Sequence, residues 1–142
     1  MKTLQAPATD QQILDIAREW TNALARDDYE SAFEITAHDP YYNWSPETMR
    51  IVVQNYGSID PMADGSVYRV TSLDDATGDT VPEHEVDWMT YPRAISNKKE
   101  LTVGHVWFDL PLNGEWSDLT ATFEIRRSGD LLHLVLNDIH VH

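Results

Sequence analysis

Two short turns near the C-terminal end constrain this chain more than any other feature. Asn113-Gly114 separates the alternating runs "LTVGHVWFDLPL" and "EWSDLTATFEI". Asn-Gly is the favoured dipeptide of a two-residue hairpin loop, because both central residues of a type I′ turn need positive φ. A loop of that length predicts Phe108 opposite Leu119, Val106 opposite Ala121, Gly104 opposite Phe123 and Thr102 opposite Ile125. The other face then pairs Asp109 with Asp118, Trp107 with Thr120, His105 with Thr122 and Val103 with Glu124. One face is mainly apolar and the other polar, as a half-buried sheet requires. Ser128-Gly129 acts the same way on the next run. It predicts Arg127 opposite Asp130, Ile125 opposite Leu132, Phe123 opposite Leu134, Ala121 opposite Leu136 and Leu119 opposite Asp138. The final segment is therefore expected as a three-stranded antiparallel meander. "SVYRVTSL" and "EHEVDWMTY" predict further strands.

The first half carries the 3.6-residue period of amphipathic helices. Thr9 with Gln12 forms a capping-box pattern ahead of Ile13, Ile16, Ala17, Trp20, Ala23 and Leu24, a helix running to about Arg26. Asp28 caps "YESAFEITA". Ser45 caps a third helix with Pro46 at its first position, and Gly57 suits its C′ end. "HDPYYNWSP", "GSIDPMADGS" (57–66) and "SNKK" (96–99) read as loops. The expected fold is α+β: three N-terminal helices on a curved antiparallel sheet of about four to six strands, in one domain spanning 1–142. A chain of this length buries roughly 68–70% of the surface it exposes when unfolded, enough for its own core.

Charge sets the class of partner. Twenty-four acidic residues against ten basic ones give a formal net charge of −14. Nucleic acid and anionic membranes are disfavoured, because contacts to phosphate need clustered Lys and Arg. Residues 74–87, "DDATGDTVPEHEVD", hold six carboxylates and no base. They read as a solvated acidic loop, or as a surface that attracts a basic partner. The absence of cysteine removes disulfides, thiolate metal sites and thiol nucleophiles. No apolar run approaches the ~20 residues of a membrane helix. "MKTLQAPATDQQ" lacks the apolar core of a secretory signal, so a cytoplasmic location is expected. P-loop, G-x-G-x-x-G, G-x-S-x-G and H-E-x-x-H motifs are missing.

The order of elements, a long first helix, "RDDYESAFEI", a third helix and a strongly patterned sheet, resembles the nuclear-transport-factor-two-like (cystatin-like) superfamily. "SPETMRIVVQNYG", "DLPLNGEWSDLTATFEI" and "LNDIHVH" also look like motifs of an uncharacterised bacterial family of small acidic proteins, some of them associated with toxin–immunity systems. The superfamily resemblance implies a conical pocket between sheet and helices, which in enzyme members holds an Asp with a His or Tyr. Fold alone does not assign function.

Three groups of residues are candidates for a site. Asp138, His140 and His142 sit two apart and, in the predicted register, continue the leucine stripe of 132, 134 and 136 on the helix-facing side. An H-x-H pair can ligate zinc, but no further ligand is placed by spacing, and neither metal nor cofactor is expected. "HDPYYNW" offers His38, Asp39 and Tyr41 as acid/base groups alongside Asp138 and His140, or Tyr42 and Trp44 as aromatic plugs. Trp20, Tyr41, Tyr42, Trp44, Asp138 and His140 are the expected pocket lining. The outward sheet face presents His105, Trp107, Asp109, Asp118 and Glu124, with Trp116 near the turn. Aromatic anchors among carboxylates describe a face for a basic protein or for a second copy of the chain. The favoured expectation is non-enzymatic binding of a basic partner, most concretely as an immunity-type protein. The rival is an isomerase, dehydratase or cyclase acting on a small molecule in the pocket.

Overall fold

The computed structural model describes residues 1–95 and 99–142. The "SNKK" loop therefore lies largely outside the described residues. Helix α1 (Asp10–Ala25) begins at the expected box: Thr9 Oγ1 accepts from Gln12 N–H at 3.1 Å, and Gln12 Oε1 accepts from Thr9 N–H at 2.9 Å. Its buried stripe is the periodic set read from the sequence, from Ile13 to Leu24. Helix α2 (Tyr29–Ile35) is capped by Asp28 and α3 (Pro46–Gln54) by Ser45. Helix α2 stops two residues short of Ala37, because Ala37 N–H is captured by Leu134 C=O at 2.9 Å. After α3 the chain turns through two left-handed residues, Tyr56 (φ 53°) and Gly57 (φ 89°), so Tyr56 rather than Gly57 holds the C′ place.

Five strands follow the order β1-β5-β4-β3-β2: β1 (Leu4–Gln5), β2 (His84–Ala94), β3 (Glu100–Leu112), β4 (Glu115–Ser128) and β5 (Leu131–Val141). All pairings are antiparallel, and the sheet is strongly curled. "SVYRVTSL" forms no strand and touches the sheet by one bridge, Val70 with Leu112. The reason is space: β2 occupies the edge of β3 between Leu101 and Phe108, leaving only the residues beside the turn for Arg69–Thr71.

The predicted registers need four corrections. The Asn113-Gly114 turn forms, with Leu112 opposite Glu115 and Pro111 opposite Trp116. Leu110 then faces three residues of β4, and the pairs from Asp109 to Gly104 are displaced by two: Phe108 faces Ala121, Trp107 faces Thr122 and His105 faces Glu124; a second irregularity at Val103 then sets Thr102 opposite Arg126, one residue from the expected Ile125. Ser117 Oγ donates to Leu110 C=O at 2.7 Å and holds this bulge. A slip of two keeps these side chains on their predicted faces, whereas Thr102, beyond Val103, turns to the other face and donates to Glu124. The slip also separates Asp109 from Asp118, relieving a like-charge pair. The second loop is Gly129-Asp130 rather than Ser128-Gly129, again a displacement of two, so Ile125 faces Leu134 and Phe123 faces Leu136.

The fourth correction reverses the face of the end of β5. Between Phe123–Leu136 and Thr122–Asp138, Asn137 is an extra residue in β5. Beyond it Ile139 enters the core, 1% exposed, while Asp138 and His140 turn away from the helices. The cause is the spacing of apolar residues: Leu136 and Ile139 lie three apart, and only a bulge puts both on one side.

The helices cover the face carrying Val106, Phe108, Leu119, Phe123, Leu134 and Ile139. Trp20 is fully buried and meets Phe123 edge-to-face at 5.1 Å. Each such fully buried side chain contributes roughly 1.5–3 kcal/mol of transfer free energy. The predicted helix–sheet pocket is filled at this point, and Trp20 is core rather than pocket wall.

Candidate functional site: an acidic cleft on the helix-distal sheet face

The face turned from the helices carries a cleft of about 730 Å³. Strand pairing builds its floor, since Trp107 lies opposite Thr122, which lies opposite Asp138. Strand β2 supplies one wall: Glu85 pairs with Trp107 and Asp87 with His105, so both carboxylates share the Trp107 face. Glu83 extends that wall, and Tyr42 from the 36–45 loop, with Asn137 and His140, closes the other side. Among the described residues, four carboxylates line the cleft, Glu83, Glu85, Asp87 and Asp138, and no Lys or Arg does. A concave site with one sign of charge focuses its field on counter-charged ligands.

Two buried nitrogens at the cleft have no hydrogen-bond partner, Trp107 Nε1 and His140 Nδ1. His140 Nδ1 stands 3.4 Å from Asp138 Oδ2, whose other oxygen accepts from Ile139 N–H at 2.9 Å. The Asp138 carboxylate thus fastens the bulge and faces an imidazole. Trp107 packs nearly perpendicular to His140 and His142, with ring centroids at 5.8 and 4.8 Å. His142 Nδ1 bonds to the Thr120 hydroxyl, which donates to buried Asp109 at 2.7 Å.

Beside the cleft, a buried polar cluster fastens the 36–45 loop to the sheet. Arg126 donates to Asp39 at 2.7 Å and to Glu124 at 3.2 Å. Glu124 also accepts from Thr102 at 3.0 Å and from the Tyr42 hydroxyl. Burial pushes the Glu124 carboxyl up, but the Tyr42 and Thr102 donors and Arg126 together hold it below its ordinary value. Tyr42 is pushed up to about 12 by burial and by its bond to that carboxylate, so it stays a donor at neutral pH. Trp44 Nε1 donates to Asn137 C=O at 3.1 Å, adding a third fastening at the bulge.

The structure therefore splits and recombines the sequence-derived sets. From the acid/base set only Asp138 and His140 reach the cleft. His38 stacks on Phe33 at 3.6 Å, Asp39 is bound to Arg126, and Tyr41 is 85% exposed. From the partner-binding set His105 and Trp107 line the cleft, whereas Asp109 and Glu124 are buried among internal partners. Trp116 packs near His84, and Asp118 accepts from the Tyr56 hydroxyl. Asp138 and His140 thus stand with Trp107 on one face, where the simple alternation had opposed them. Glu83, Glu85 and Asp87 were legible only as part of an acidic stretch. The alternation "EHEVD" was the signal that they share a side of a strand. Among the described residues, no group of three or more His, Asp or Glu side chains is placed to hold a metal ion. Nor, among the described residues, is any helix long and apolar enough to cross a membrane.

Comparison with family models, curated proteins and solved structures finds no match to the chain.

Proposed function

We propose that this chain is a non-enzymatic acidic binding protein whose helix-distal cleft takes cationic side chains of a basic protein. An immunity-type role, in which the carboxylates cover the basic surface of a toxin, is the most concrete form of that reading. One observation carries it: among the described residues, four carboxylates and no Lys or Arg line the cleft of about 730 Å³ around Trp107. A guanidinium or ammonium group entering there meets opposite charge on β2 and β5 and an indole between them. Cation–π contact contributes about 0.5–2 kcal/mol as the site desolvates, and the charge of the walls speeds encounter. The layout of three helices on a strongly curled antiparallel sheet supports a nuclear-transport-factor-two-like assignment, while the cleft departs from that resemblance by lying on the side away from the helices.

The test is titration with an arginine-rich peptide by calorimetry at low and at moderate salt. Affinity should fall steeply with salt, fall on Trp107→Ala and on Glu85→Lys with Asp87→Lys, and be unchanged on Ile59→Ala, an exposed residue outside the cleft. Equal binding by the charge-reversed and native proteins would overturn the reading. The Asp138–His140 contact favours a second reading, acid/base chemistry on a small molecule in the same cleft. Under it, His140→Ala abolishes turnover while Glu85→Lys does not.

A further inference from the structure

We infer that the partner's basic segment binds as an added β-strand along the edge of β2, with alternate residues basic. This rests on the cleft reading above and specifies its mode. Strand β2 ends the sheet, so one side of its backbone has no strand partner among the described residues. Asp109 N–H donates to Glu83 C=O at 3.0 Å, which makes the 83/109 pair a hydrogen-bonded one. Such pairs alternate in an antiparallel ladder. Glu85 and Asp87 therefore also direct their backbone groups to β3, and His84, Val86 and Trp88 direct theirs to the open edge.

The side chains alternate in step with this. Glu85 and Asp87 face the cleft, and Val86 and Trp88 face the other side. A strand added about 4.8 Å away places every second side chain beside that carboxylate pair. The matching segment is thus extended and basic at i and i+2, with neutral residues between. Pairing gives the affinity of main-chain hydrogen bonds, and the wall gives the selection.

Two features favour a different chain over a second copy as occupant. The far half of β2 is blunted as natural edges are, by Pro92 and an irregularity between Trp88 and Arg93, while His84–Trp88 carries no Pro, Lys or bulge. Two copies joined antiparallel about Val86 would set Glu85 against Asp87, carboxylate to carboxylate, which is destabilising.

The experiment uses fluorescence polarisation with the intact protein and short peptides alternating arginine and threonine. A peptide of the same composition with its arginines grouped should bind about tenfold more weakly. In the antiparallel arrangement, residues opposite Val86 and Trp88 donate to β2, and these are the threonines. N-methylating the threonine amides should cost about tenfold or more, and N-methylating the arginine amides about twofold or less. Equal binding by alternating and grouped peptides, with both methylated sets alike, would refute strand addition yet leave the acidic-cleft reading standing. No binding by any of the peptides would remove both. A dimer in sedimentation that the alternating peptide dissociates would assign the edge to a second copy instead.

Discussion

Replacing Arg126 by Met should be among the most damaging single changes to this protein. The side chain is 4% exposed and is the cation of a cluster containing Asp39, Glu124 and, at 3.9 Å, Glu100. Methionine has a similar length and leaves no large void, so the change isolates the charge. Glu124, itself 4% exposed, keeps Thr102 and Tyr42 but loses its buried counter-charge. Asp39 loses the contact that fastens the 36–45 loop. Removing one partner of a buried pair costs about 3–5 kcal/mol. At ~2.1 cal/mol/K per residue, unfolding 142 residues carries about 0.3 kcal/mol/K, so the melting temperature should fall roughly 10–17 °C. Thermal and urea unfolding followed by circular dichroism measure this directly. Arg93→Ala is the control: Arg93 is 67% exposed at 3.8 Å from the same carboxylate. That pair should contribute less than about 1 kcal/mol. Neutralising both charges, Glu124→Gln with Arg126→Met, should recover part of the loss. A single Arg126→Met cost below about 1 kcal/mol would show that the cluster is not electrostatically closed, and the reasoning would fail.

Other outcomes follow from the same geometry. Ile139→Ala should cost about 2–4 kcal/mol because Ile139 is core. Deleting Asn137 removes the bulge while keeping Ile139 inward, and should cost less than Ile139→Ala in the same denaturation assay. Gly104→Ala should destabilise by about 1–3 kcal/mol, since its Cβ would stand 2.8 Å from the Asp87 carbonyl and push β2 from β3. Loss of hydrogen-exchange protection along β2 would locate that effect. Burial lowers the pKa of His38, His84 and His133 below the ordinary 6.5. The unfolded chain therefore takes up protons first, so stability should be full above about pH 6.5 and decline below it towards the lower folded values. His133→Gln should flatten the fall of melting temperature between pH 6.5 and 5. An unchanged slope would exclude His133 from it.

Local chemistry made much of this protein legible in its sequence. The caps at Thr9, Asp28 and Ser45 start the three helices where side-chain oxygens meet free backbone N–H groups. The apolar stripe of α1 and the alternation of β3 and β4 named most of the core, because burial selects one face of each element. The Asn-Gly turn named its hairpin. Bulges were harder to read, since the extra residue is placed by what neighbouring strands need. The one beside Leu110 moved pairs by two and left every face unchanged. The one at Asn137 changed the face of Asp138 and His140. Its trace was present as the switch of apolar positions from Leu132, Leu134 and Leu136 to Ile139 and Val141, a change of parity that a continuous strand cannot satisfy. Chain pattern thus determined which residues are buried and how the elements begin and end. Only the tertiary structure decided which polar residues stand together. Asp87, Trp107 and Asp138 come from three strands, and their meeting depends on inter-strand register, which local alternation does not encode.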